Sequence, residues 1–320
     1  MKKKGNLGAK GAYAGLRGAY AAMFTPIDRK GRVDTEAIGR IVEYGLANGL
    51  KGFYLTGSTG GWFLLSPEER VTVWKATAKA ANGRCPLIAH VGATSTDESV
   101  ALAKAAADAG MDWVSSIAPP VFGGGFEGVY RHYKAVSEAT DLPFMAYSIG
   151  SEIVPERDIR LFDLKNVRGM KYTGRDYYAA QAMKLALDER KETVWFAGCD
   201  EQLLCALAFN DVFAGGIGTT YNIIPRHFSE ICRLADANDF HSASRFQGEA
   251  NKVVRLMIQS SNWSYRKAMM KFIGIDCGPY RAPYAALTAA EERAFFRQFA
   301  ALGVVARNQA IRGHQKGKRL

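Results

Sequence analysis

Gly18-Ala19-Tyr20-Ala21-Ala22-Met23-Phe24 runs directly into Thr25-Pro26-Ile27, and that junction separates two candidate folds. The first seven residues are an uncharged apolar run of strand length. In a doubly wound open sheet, a glycine-rich turn usually follows the first strand, because the backbone there must approach a pyrophosphate. A proline-containing turn stands in its place. Outward from this point, apolar runs of strand length alternate with stretches of helical period. Strands are expected near residues 18–24, 52–56, 86–91, 113–117, 143–148, 167–171, 194–197 and 212–217. Amphipathic helices are expected near 35–47, 67–81, 96–109, 128–139, 177–187 and 201–209. Ser66-Pro67-Glu68-Glu69 supplies a cap, a proline at the first helical position and acids in the first turn. Thr96-Asp97-Glu98 does much the same without the proline.

Eight strands, each followed by a helix, imply an α/β fold with a closed parallel barrel, the (β/α)8 TIM barrel. Continuous apolar strands are what a sheet covered on both faces requires. The barrel should be complete by about residue 235, with three further helices over 240–302 and a tight Gly274-Ile275-Asp276-Cys277-Gly278-Pro279 connection between the second and third. No linker divides the chain. The expected organisation is a basic, flexible tail over 1–14, the barrel over 15–236, C-terminal helices packed on it over 237–304, and a second basic tail over 305–320.

Composition narrows the function classes. The 320 residues are 48% hydrophobic and 23% charged, and no run of eighteen apolar residues could span a bilayer. Met1-Lys2-Lys3-Lys4-Gly5 is basic, but no apolar core and cleavage site follow, so a secretory signal is not expected. Cys85, Cys199, Cys205, Cys232 and Cys277 are widely spaced, with no CxxC pair. Neither a zinc site nor a disulfide framework is indicated, and a reduced, cytoplasmic protein fits best. The net charge of +11 comes mostly from Lys2, Lys3, Lys4 and Lys10 in the head and Arg307, Arg312, Lys316, Lys318 and Arg319 in the tail. The body is nearly balanced, so no nucleic-acid or membrane partner is expected.

Barrel enzymes carry their chemistry on the loops at the C-terminal ends of the strands. After the second strand comes Gly57-Ser58-Thr59-Gly60-Gly61, whose hydroxyls and accessible N–H groups suit a carboxylate or phosphate. Such a string alone is usually a tight turn. Tyr147 ends the fifth strand, and a lone tyrosine there is ordinarily core packing. Lys171 ends the sixth, with Thr173 two residues on. Taken alone it would be a lysine snorkelling to solvent. Gly198-Cys199-Asp200-Glu201 follows the seventh strand and Gly218-Thr219-Thr220-Tyr221-Asn222 the eighth. One metal-free chemistry employs the whole set. A neutral lysine attacks a ketone, the resulting Schiff base becomes an electron sink, and a neighbouring carbon–carbon bond breaks or forms. The Ser58/Thr59 loop would hold a 2-oxo acid's carboxylate, a phenol would shuttle the proton, and Asp200 and Glu201 would accept from sugar-like hydroxyls.

These segments, with His90-Val91-Gly92 and Gly169-Met170-Lys171-Tyr172-Thr173, resemble the N-acetylneuraminate lyase/dihydrodipicolinate synthase family of class I pyruvate aldolases over about residues 18–302. The lyase branch is the nearer match. Its GSTG form is present at Gly57-Ser58-Thr59-Gly60, and Gly198-Cys199-Asp200-Glu201 fits its Gly-x-Asp-Glu segment. The synthase branch carries an arginine five residues after the tyrosine, where Glu152 stands here. The resemblance implies an imine on Lys171, Tyr147 as general acid/base, and Ser58 and Thr59 on the pyruvate carboxylate. It places Thr173, Gly198, Asp200, Glu201 and Thr219 along the sugar end. It also implies a homotetramer, a small-molecule substrate, no cofactor and no metal. Three positions depart from the family pattern: Gly61 replaces a glutamate, Val121-Phe122-Gly123-Gly124-Gly125 lacks a tyrosine pair, and Ser148-Ile149-Gly150 replaces Asn-Ile-Pro. The leading expectation is reversible cleavage of N-acetylneuraminate to N-acetyl-D-mannosamine and pyruvate through the Lys171 imine, with another 2-oxo-acid aldolase acting on a 2-keto-3-deoxy sugar acid as the alternative. A dehydratase, a 4-hydroxy-tetrahydrodipicolinate synthase and a catalytically silent barrel also remain.

Overall fold

A computed structural model describes residues 13–121, 124–149, 152–209 and 212–305. The tails proposed over 1–14 and 305–320 therefore fall almost wholly outside the described residues, as do Phe122, Gly123 and Gly150 of the departing segments.

Among the described residues the strands are β1 Gly18–Ala22, β2 Gly52–Leu55, β3 Leu87–His90, β4 Trp113–Ile117, β5 Phe144–Ile149, β6 Val167–Thr173, β7 Val194–Ala197 and β8 Phe213–Gly218. Each pairs in parallel with its neighbours, and β1 pairs with β8 to close the barrel. The expected fold class holds. The helices α1 Thr35–Ala47, α2 Pro67–Ala81, α3 Thr96–Asp108, α4 Gly125–Ser137, α5 Pro155–Asp158, α6 Tyr177–Asp188, α7 Leu203–Leu207 and α8 Pro225–Asp236 lie between and after the strands. Three more follow: α9 Phe240–Ile258, α10 Ser264–Phe272 and α11 Ala289–Ala301.

The core has two parts, as the period-2 alternation of a strand dictates. Outward residues such as Phe53, Leu87, Val114, Phe144, Trp195 and Phe213 pack against the helices. Inward residues, among them Tyr20, Tyr54, Ile88, Met145, Tyr147, Phe196 and Ile217, fill the barrel. Every residue of β2, β3 and β7 is buried.

Several helix starts obey their local signals. Ser66 and Glu69 form a reciprocal capping box with Pro67 in the first turn of α2. At α3 the cap is Ser95 rather than Thr96, its hydroxyl accepting from the Glu98 N–H at 3.1 Å. Other boundaries differ from expectation. The α4 helix starts at Gly125, after Gly124 turns the chain in the left-handed region. The expected helix over 201–209 is a 3-10 turn at Asp200–Gln202 and only then α7. Here α9 reaches in: Gln247 accepts from the Leu204 N–H and donates to the Asp200 carbonyl, while Asn251 donates to the Glu201 carbonyl. Between β5 and β6, α5 and a 3-10 turn at Ile159–Asp163 are too short to have registered as a helical period.

Candidate active site

Lys171 sits inside β6, not at its end. The pairing with β5 continues past it through Ser148↔Tyr172 and Ile149↔Thr173, so the strand is two residues longer than its apolar run suggested. It is in register with Tyr147 of β5 and Phe196 of β7. Its side chain is 5% exposed, which removes the snorkelling explanation. Its Nζ lies 4.1 Å from the centroid of the Tyr147 ring and 4.4 Å from that of Tyr54. Two phenol faces bracket the nitrogen, and the rings meet edge to face at 6.0 Å.

The bracket is braced from behind. Tyr54 shares a 3.0 Å hydrogen bond with the Ser115 hydroxyl on β4, and burial holds its phenol proton far above the ordinary range. Tyr133 on α4 donates to the Tyr147 carbonyl at 3.2 Å. His90 on β3 meets the Tyr147 ring edge-on. Its Nδ1–H donates to the Thr56 carbonyl at 3.0 Å, and its Nε2 accepts from the Ile117 N–H at 3.3 Å. Burial, then the nearby Arg70 and Lys171 charges, push its pKa well below the usual value. It is therefore a neutral brace with its tautomer fixed by both partners. Buried Arg70 on α2 donates to the carbonyls of His90 and Gly92.

The Gly57-Ser58-Thr59 loop leaves β2 through Thr56, whose φ of 51° is unusual for a β-branched residue. The Thr56 hydroxyl donates to the His90 carbonyl and accepts from the Trp74 indole N–H at 2.9 Å, which holds that conformation. Ser58 is half-buried and Thr59 buried. The Thr59 and Thr219 hydroxyls lie 2.6 Å apart, joining the loops after β2 and β8. One hydroxyl donates to the other, so the pair keeps one proton for an acceptor.

Beside the lysine, a cavity of ≈ 700 Å³ opens at the C-terminal ends of β6, β7 and β8. Thr173, Gly198, Asp200, Glu201 and Thr219 all line it, as does Glu152. Lys171, Tyr147, Ser58 and Thr59 are not among its lining residues, and Thr59 reaches the lining through the Thr219 hydroxyl. Asp200 is almost fully buried and accepts from the Thr220 N–H at 2.7 Å. Burial pushes its pKa up to about 6, against the opposing effects of the Thr220 hydrogen bonds and the Lys171 charge. Gly198 has a steric reason: a Cβ there would stand 2.0 Å from the Thr173 hydroxyl. That hydroxyl is buried with no protein partner. Arg175 faces Glu201 across the mouth at 3.6 Å, and both are exposed enough for solvent to weaken the pair.

A sequence profile described as the dihydrodipicolinate synthetase family matches residues 15–301. The chain belongs to that family. Within it, N-acetylneuraminate lyase from Salmonella typhi is 33% identical over 276 residues, 84% of this chain and 91% of the relative. N-acetylneuraminate lyase from Fusobacterium nucleatum, solved in complex with pyruvate, superposes with a TM-score of 0.82 at 26% identity, covering 90% of this chain and 97% of that one. Dihydrodipicolinate synthase from Bacillus anthracis superposes at 0.80 with 26% identity, covering 88% and 97%. Membership of the dihydrodipicolinate synthetase family makes the chain an enzyme, a carbon–carbon lyase of the class I aldolase type.

Sequence reasoning quoted Tyr54 and His90 inside motifs without giving either a place in the site. Alternation along β2 and β3 was the available signal, since it turns both into the barrel. The supports from Gln247 and Asn251 on α9 carry no comparable signal.

Proposed function

We propose that the protein reversibly cleaves N-acetylneuraminate to N-acetyl-D-mannosamine and pyruvate through an imine on Lys171. The observation that carries this reading is the Lys171 amine, buried in the barrel between the Tyr54 and Tyr147 rings. Its nitrogen attacks the C2 ketone of the substrate, water departs, and the imine forms. Tyr147 takes the proton of the C4 hydroxyl as the C3–C4 bond breaks. The bond's electron pair moves toward the imine nitrogen, the aldehyde leaves, and the enamine is protonated at C3 and hydrolysed to pyruvate. Ser58 and Thr59 hold the 2-oxo acid's carboxylate throughout. Thr173, Gly198, Asp200, Glu201 and Thr219 receive the polyhydroxy tail. The unpartnered Thr173 hydroxyl and the acidic lining support that placement, because carboxylates accept from sugar hydroxyls. Glu152 beside them disfavours an anionic second substrate.

Release of pyruvate from N-acetylneuraminate, measured beside release from 2-keto-3-deoxygluconate, tests the substrate. Turnover of only the second compound ends the sialic reading and leaves the imine chemistry standing.

Asp200 gives the proposal a pH signature. Its carboxyl, raised to about 6, loses its acceptor role as it is protonated below that value. KM for N-acetylneuraminate should therefore rise about tenfold between about pH 7 and about pH 5, the range over which such a group goes from mostly ionised to mostly protonated. Asp200→Asn should raise KM at neutral pH and flatten the profile. A flat wild-type profile would mean that the Asp200 carboxylate does not hold the tail.

A further inference from the structure

The contacts of Tyr280 reach the substrate loop from the far end of the chain. Tyr280 follows the Gly274–Pro279 connection that joins α10 to α11. Its hydroxyl donates to the Thr59 carbonyl at 2.6 Å, across a separation of 221 residues. We propose that Tyr280 is a positioning residue for the carboxylate cradle, fixing the Thr59 backbone so that the Thr59–Thr219 hydroxyl pair faces the reacting acid. The inference rests on the reading of Thr59 as a carboxylate ligand.

Three observations give Tyr280 the rigidity such a part requires. First, its ring is buried and packs against Trp263 and Tyr284, with the Trp263 ring edge-on at 6.0 Å. Second, the Lys267 ammonium lies 4.6 Å from the Tyr280 centroid and donates to the Cys277 and Pro279 carbonyls at 3.3 and 3.2 Å. A nearly fully buried lysine that caps carbonyls holds the connection in one shape. Third, the same segment is fastened to the barrel on either side of Tyr280. The Ile27 N–H donates to the Cys277 carbonyl at 2.9 Å, and Arg281 binds Glu69 on α2 and the Leu64 carbonyl. The phenol is thus clamped to the loop after β1 and to the start of α2, with the cradle between them.

The chemistry of the cradle makes this placement consequential. Thr59 has one side-chain oxygen, already shared with Thr219 at 2.6 Å, so only a narrow backbone setting aims the remaining proton at an anion. Loss of the Tyr280 hydrogen bond would free the Thr59 carbonyl and, with it, the backbone from which that hydroxyl is aimed. Binding of the acid suffers before the imine step does, because Lys171 sits on β6 and, among the described residues, has no direct contact with Tyr280.

Borohydride trapping of pyruvate on the full-length protein tests the idea, read as the pyruvate concentration giving half-maximal adduct. Tyr280→Phe keeps the ring and removes the hydroxyl. The expected result is a half-saturation raised on the order of fivefold, the worth of one such hydrogen bond, with the limiting adduct yield unchanged. A purely structural role would lower the melting temperature and leave half-saturation alone, and that outcome overturns the proposal. Thr59→Val separates the two layers. If Thr59→Val binds pyruvate as the wild type does, the carboxylate reading of Thr59 is wrong. If Thr59→Val weakens pyruvate and Tyr280→Phe does not, the positioning inference alone fails. In the double variant, Tyr280→Phe should add nothing to Thr59→Val; additive effects would place the action of Tyr280 elsewhere.

Discussion

Lys171→Met is expected to lower kcat by about a thousandfold or more, the scale seen when a covalent nucleophile is removed. It should also abolish the borohydride-stable pyruvate adduct. Methionine matches the lysine stem in length and is apolar, and it enters a niche already formed by the Tyr54 and Tyr147 rings. The variant should therefore keep its fold by circular dichroism, so that loss of activity reports chemistry. The adduct is the decisive reading. Trapping pyruvate on the wild type and locating the added mass on the peptide containing Lys171 assigns the nucleophile. Adduct on another lysine, or unchanged turnover by the variant, would refute the imine assignment outright. A wild type that traps nothing would likewise refute the Lys171 imine.

Tyr147→Phe carries the second large effect. General acid/base groups contribute about 10² to 10⁴ in rate, and kcat for cleavage should fall within that span. The ring that packs on the Lys171 nitrogen at 4.1 Å is retained, so the pyruvate adduct should still form. Trapping without cleavage is the signature to look for. A kcat within about tenfold of the wild type would move the proton-transfer role away from this phenol. Tyr54 is the nearest alternative, although its hydroxyl is engaged by Ser115 at 3.0 Å in a fully buried setting.

The barrel was legible because its cause is local. Strands buried on both faces must be continuously apolar, and the runs around Phe53, Ile88 and Trp195 announce that without any partner in view. Helix starts were legible for the same reason, since Ser66 and Glu69 lie within one turn of each other. The site was legible in part. Thr173, Gly198, Asp200, Glu201 and Thr219 line one cavity, because strands in a closed barrel deliver their ends to one rim. What escaped notice depends on pairing across distance. The length of β6 is set by how far β5 runs alongside it, which the Gly169-Met170-Lys171 composition cannot express. The 3-10 turn at Asp200–Gln202 is shaped by Gln247 and Asn251 on a helix some fifty positions later. Tyr280 reads as an ordinary aromatic in a loop until its hydroxyl is found on the Thr59 carbonyl.

The seam between β1 and β8, where Gly18 is opposite Gly215, has a consequence during synthesis. The chain emerges from the ribosome amino end first, so β1 must wait nearly two hundred residues for the strand that covers its second edge. Throughout that interval the half-built sheet presents an open row of backbone donors and acceptors, the surface on which stray strands add. Non-local pairings of this kind also fold slowly. Nascent chains of this protein should accordingly draw on chaperones until β8 has been made, and partial products of translation should aggregate rather than accumulate as soluble fragments.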